Sequence, residues 1–297
     1  MHNGLGLAAV LSSGAAEAEA SGTGRGVVLA DAKEAFKDKP ATPRMPTLFV
    51  GHGSPMNAIT DNAYSREWRK IGEALPTPTA ILCISAHWMT GGATLVHIGK
   101  HPQTIHDFGG FPQELFAQQY PAPGAPEAAQ AAIDLVRSSH LRGDTEWGLD
   151  HGAWSVLIKM FPKADIPVFQ LSLDLTRPPS AHFELARELK PLRERGVLII
   201  GSGNLVHNLM TLVRGGPAYD WAEEFDVRAA EAISKRDFQS LAEPGSLGKT
   251  LRLAHPTPEH YLPVLFPLGV SDEKDELNFF NASIDMGSIS MRGFVFS

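Results

Sequence analysis

From Met45 onward the chain alternates short apolar, β-branched runs with longer stretches of helical character. That alternation commits it to a sheet covered by helices. Residues 47–50, 80–85, 167–173 and 197–201 read as strands, and 289–296 as a last one. The second and fourth are apolar on both faces, which places them centrally. Between them, Tyr64, Trp68, Ile71 and Leu75 recur at i, i+4, i+7 and i+11, the spacing of one helical face. Residues 126–140, opening on a proline and rich in alanine, also read as helix, as do 180–195 and 221–241. No internal repeat and no Pro/Gly/Ser linker interrupts 45–297, so one α/β domain is the simplest organisation.

The first 44 residues differ, being rich in Ala, Gly, Ser and Glu without periodicity. They read as an extension outside the fold, disordered or a leader. Residues 4–20 faintly resemble the later part of an export signal but lack a basic region before them. A cytoplasmic location is therefore expected, with export as the weaker alternative. No run approaches the ~18 apolar residues of a membrane span. The net charge of −7, with both signs interspersed, provides no basic stripe for nucleic acid. One cysteine, Cys83, excludes an internal disulfide, so a bound metal must rest on nitrogen and oxygen. Attention passes to the twelve histidines.

Three of them follow expected strands: His52 within Gly-His-Gly-Ser-Pro at 51–55, His87 within Ala-His-Trp at 86–88, and His207 shortly after the strand ending at Gly201. In open α/β sheets ligands bind outside the carboxyl ends of the strands, so these imidazoles would arrive at one place. Any one of them alone reads more simply as a loop residue. Glycines at 51, 53, 201 and 203 suit either a close backbone approach or ordinary turns. Another candidate is His260, projecting from the first turn of a short helix capped by Thr257, with His255 or Glu259 as alternative ligands. The loops at 106–111 and 148–154, which carry His106, Asp107, Asp150 and His151, read equally as site loops or as structural loops. His2, His97, His101, His140 and His182 have no supporting context and read as surface residues. No dinucleotide fingerprint, phosphate loop or serine-hydrolase elbow is present.

These blocks together resemble the 4,5-DOPA extradiol dioxygenase-like group of the LigB-type class III ring-cleaving dioxygenases. The resemblance runs through 45–57, 85–88, 105–112, 120–124, 148–154, 201–204, 206–209 and 256–263, and it lapses in the leader and between about 214 and 253. It implies a single three-layer α/β/α domain around a mixed, largely parallel sheet. It also implies one divalent metal per chain, held by His52, His87 and His260. His207 is then the acid/base residue beside the metal, or a fourth ligand. His151 is the second expected catalytic residue, and His106, Asp107, Asp150 and Trp88 are expected to meet the substrate.

Three neutral imidazoles leave a divalent ion with its full charge and with open positions, as catalytic sites require. A small aromatic diol and O2 are the implied partners, with Fe(II) expected for activity and Zn(II) plausible as the ion found bound. An imidazole at His207 with an ordinary pKa near ~6.5 suits proton transfer to and from a catechol hydroxyl. The rival readings are a zinc hydrolase using a water on three histidines and a catalytically silent metal-binding protein.

Overall fold

The computed structural model describes residues 44–297; the leader reading of the first 43 lies outside the described residues. The frame is a six-stranded sheet of β1 (Thr47–Gly51), β2 (Ala80–Ser85), β3 (Val168–Gln170), β4 (Val197–Gly203), β5 (Leu277–Phe280) and β6 (Gly293–Phe296), in the spatial order β3-β2-β4-β1-β6-β5. β3, β2, β4 and β1 are mutually parallel, whereas β6 runs antiparallel to both β1 and β5. β2 and β4 are buried at every residue and central, as their apolar runs imply.

Successive side chains of a strand point to opposite faces, and the core divides accordingly. Phe49, Leu82 and Ile199 enter one apolar cluster, which includes Leu185, Phe225 and Phe266. Leu48, Val50, Ile81, Leu198 and Ile200 enter the other, with Trp68, Trp154 and Leu157. The covering helices of the second face are α1 (Ala63–Ala74) and α3 (His151–Met160); α2 (Pro126–Leu135), α4 (Pro179–Glu188), α5 (Asp220–Ser234) and α6 (Leu265–Val270) contribute to the first. The architecture is thus helix, mixed sheet, helix. At the start of α1, the Asn62 side chain accepts from the Ser65 amide while Ser65 Oγ accepts from the Asn62 amide, a reciprocal cap that fixes where the helix begins.

Several expected elements are interrupted. The 167–173 run splits because Leu173 N leaves the main sheet and donates to Trp88 O, pairing 173–174 with 89–90. α2 stops at Leu135, short of residue 140. The 180–195 helix ends at Glu188 and resumes as a 3-10 turn over Lys190–Arg195, since Pro191 lacks the amide that an α-helix needs. The 221–241 helix breaks where Arg236 takes a positive φ of 55°. The 289–296 run divides into Ile289–Ser290, paired with Ile284–Asp285, and β6. Thr257 caps nothing: its hydroxyl bonds Glu259, and 258–261 is a turn instead of a helix.

The 3-10 segment buries Arg193, whose guanidinium donates to Met45 O at 2.7 Å, Val270 O at 2.8 Å and Asp275 Oδ2 at 2.7 Å. Both side chains are almost fully enclosed, 1% and 0% exposed. Removing one partner of such a pair strands a buried charge, at about 3–5 kcal/mol. Asp275→Asn is therefore expected to lower the unfolding free energy by an amount in that range, seen as a lower urea midpoint. Burial alone would raise the Asp275 pKa, but bonds from Arg193 and the Asp272 amide outweigh it and hold the carboxyl below its ordinary value. A depressed folded pKa contributes stability above the unfolded value, near ~3.9, and loses it as pH falls through the folded one. The variant should accordingly show a shallower loss of stability below about pH 4; an unchanged midpoint and slope would refute the assignment.

Candidate active site

Parallel register assembles the site. Gly51, which ends β1, lies opposite Gly203 of β4, and Ser85, which ends β2, lies opposite Ser202. The residues that follow, His52 and His87, therefore emerge side by side at the carboxyl edge of the sheet. His260 reaches the same edge from the 258–261 turn, because Asn204 N donates to His260 O at 2.9 Å. Gly203 permits that approach: a Cβ there would lie 2.3 Å from His260 O.

One ring nitrogen from each of His52, His87 and His260 lies within 4.8 Å of the others, and the Nε2 atoms of His52 and His87 are 3.3 Å apart. Hydrogen bonds select the tautomers. Ser202 Oγ donates to Gly152 O at 2.5 Å, so it accepts from His52 Nδ1 at 3.0 Å, leaving His52 Nε2 as a lone pair. Glu259 Oε1 accepts from His260 Nδ1 at 3.1 Å, and Asp107 Oδ2 stands 3.4 Å from His87 Nδ1. Outer partners on Nδ1 are what metal-binding imidazoles ordinarily have.

The donor set fits a divalent ion. Two nitrogens each ~2.1 Å from one metal at a tetrahedral angle are separated by roughly 3.4 Å, close to the 3.3 Å found between His52 and His87. The rings are also neutral, as ligation demands. Burial, reinforced by neighbouring imidazoles, pushes His52 and His260 well below the ordinary histidine pKa. His87 falls to about 4 for the same first cause, with His151 adding to it.

Two further imidazoles flank the trio. His207 stacks on His260, ring centroids 3.4 Å apart and planes 4° from parallel. His151 sits 3.8 Å from His87, centroid to centroid. Asp107 fixes His151 twice, accepting from its backbone amide and from Nδ1, both at 2.9 Å. Burial alone would raise the Asp107 pKa, but the His151 bonds and the nearby His87 keep it below the ordinary carboxylate value. All five histidines open onto one cavity of about 470 Å³, together with Phe108, Phe111, Leu209, Leu212, Arg214, Met286 and Ile289. That volume suits a small organic ligand. A larger groove of about 730 Å³, bordered by Phe183, Arg236, Phe238 and Glu273, contains none of these histidines.

Residues 45–292 match the family model of the catalytic LigB subunit of aromatic ring-opening dioxygenase. The chain belongs to the LigB family. It is 47% identical over 256 residues to a 4,5-DOPA dioxygenase extradiol of Escherichia coli K12, covering 84% of this chain and 93% of that one. A protein of the same name from Beta vulgaris is 38% identical over 261 residues, covering 84% and 96%. The crystal structure of an uncharacterized protein from Escherichia coli K12 superposes with a TM-score of 0.74 at 40% identity, over 86% of this chain and all of that one. This LigB protein is accordingly an oxidoreductase, an extradiol ring-cleavage dioxygenase. The hydrolytic and catalytically silent alternatives lose their basis with that membership. No helix among the described residues is long and apolar enough to cross a membrane.

Within the LigB site the structure brings His52, His87, His151, His207, His260 and Asp107 together and leaves the other expected residues out. Asp150 is fully buried, and it is not among the cavity residues. Its oxygens are occupied by Ser85 Oγ, Trp147 Nε1, Gln170 Nε2 and the Ala153 amide, so that it caps α3. Trp88 is buried against Trp147 with planes 5° from parallel. His106 pairs through Nε2 with Gln118 O, outside the cavity wall. His255, the alternative ligand, donates Nε2 to Leu205 O and is likewise outside. His97 and His182 are buried instead of lying on the surface. Leu212, Arg214 and Met286 were not anticipated, because they come from segments without a periodic pattern, whereas Phe111 and Leu209 fall within the 105–112 and 206–209 blocks. Ser202 had a signal, its place between two glycines at a strand end, but a small hydroxyl there reads as part of a turn.

Proposed function

We propose that this LigB protein opens the ring of a catechol bearing a side chain, of the DOPA or caffeate kind, using Fe(II) held by His52, His87 and His260. The observation that carries the reading is the convergence of three imidazole nitrogens within 4.8 Å at the wall of a cavity also lined by Phe108 and Phe111. The relatives named for 4,5-DOPA cleavage support the substrate class. Fe(II) in this place supplies Lewis acidity toward the diol and a path for electrons from ring to O2, with cleavage beside the hydroxyls and both oxygen atoms entering the product.

The protein's residues then have separable tasks. Phe108 and Phe111 give the ring an apolar surface and keep water from it. His207 accepts a hydroxyl proton as the diol binds and returns it to the opened product. Its nitrogen groups with Glu259 and His260 and not with the His52 and His87 pair, which favours acid/base work over a fourth ligand. Its basicity departs from the expected ordinary value: burial, with His255 adding to it and Glu259 opposing, lowers His207 to about 3. It is thus neutral at rest and a weak base, so a proton it takes from the diol is held loosely and given up readily. His151, clamped by Asp107, keeps its ring beside that of His87.

The test uses protein stripped of metal and reloaded anaerobically with Fe(II) or Zn(II), since nitrogen sites retain zinc more tightly than ferrous iron. The Fe(II) form is expected to consume one O2 per catechol with a yellow product, and the zinc form none. Absence of O2 uptake from chains shown to carry one Fe(II) would overturn the proposal.

A further inference from the structure

We infer that Arg214 selects catechols whose side chain ends in a carboxylate, by pairing its guanidinium with that group at the cavity wall. The inference rests on the ring-cleaving reading above and names the determinant within it. Arg214 is the single lysine or arginine among the cavity residues. Among the described residues it has no carboxylate within ion-pair distance, in contrast to Arg66, Arg187, Arg193, Arg228 and Arg292.

The backbone that carries this exposed side chain is anchored. Val213 N donates to Met286 O at 2.9 Å, and Gly216 N closes back on Val213 O at 3.1 Å through Gly215, whose φ of 67° suits glycine. Arg214 is thereby fixed between two anchored residues, with apolar Leu212 and Met286 sharing the cavity wall. A planar fork of donors matches a carboxylate in two parallel bonds. With the diol at the imidazoles, the acid end of the side chain is left for Arg214.

Dihydrocaffeate and 4-methylcatechol share the ring and differ in the carboxylate, so the ratio of their kcat/KM values reads the contact. Wild type is expected to prefer dihydrocaffeate by about tenfold or more, the scale of one hydrogen bond to a charged group. Arg214→Gln should reduce that ratio about tenfold, and Arg214→Lys, a point charge without the fork, should retain part of it. Anaerobic dissociation constants for the two catechols on the Fe(II) protein, read without turnover, should change in the same ratio. A wild type without preference, a ratio unchanged in Arg214→Gln, or equal losses on both compounds would each overturn the inference while leaving ring cleavage intact. Failure of the underlying reading is distinct: the Fe(II) wild type would then consume O2 with neither compound.

Discussion

His52→Ala is expected to lose bound iron and ring opening together, with turnover falling by at least about a thousandfold, since a metal's charge stabilisation is worth several kcal/mol. His52 is 1% exposed, and its Nε2 lies 3.3 Å from that of His87. The flanking imidazoles are otherwise engaged: His151 is tied to Asp107 by two bonds, and His207 lies flat against His260. Iron per chain after anaerobic loading and desalting, measured with O2 uptake, checks the expectation. Ser202→Ala provides the graded counterpart, because it deletes the acceptor for His52 Nδ1 without touching a ligand. Loss of such an outer partner typically weakens metal binding about 10- to 100-fold, which a competition titration with a chelator resolves. A His52→Ala protein that retained one tightly bound iron would remove His52 from the ligand set.

The fold was legible in the sequence where local pattern and tertiary role coincide. β1, β2 and β4 are buried at every position because both faces of the sheet are covered, and three largely apolar runs announce this. α3 went unread for a related reason. Eight of its ten residues are buried, so it lacks the polar stripe that marks a surface helix. The break at Pro191 was present in the sequence as a residue that cannot donate. The positive φ of Arg236 leaves no such mark in composition.

The histidines were legible for a topological reason, since residues that follow parallel strands share one edge of the sheet. What sequence does not show is which loop side chains turn inward. Asp107 and Asp150 both lie in loops with a histidine neighbour, yet one lines the cavity and the other is consumed by capping α3 and by Gln170. Arg214, in a segment without period or motif, becomes visible only when Met286 is seen to anchor the adjacent Val213.

His207→Ala is expected to keep its iron and lose about 10²- to 10⁴-fold in turnover, the usual contribution of a positioned acid/base group. The separation of the two effects is the informative part. His207 touches the ligand set through the face of the His260 ring, 3.4 Å away, and not through a nitrogen shared with His52 and His87. Removing it therefore leaves the three converging nitrogens and their Nδ1 partners intact. His207→Gln keeps much of the stacking surface and a hydrogen-bonding end but cannot carry the proton, so it should resemble alanine in turnover and wild type in iron content. If packing on His260 were the whole contribution, glutamine would instead restore most of the activity. Loss of iron from both variants would make His207 a fourth ligand, and the proton would then have to travel through His151 and Asp107.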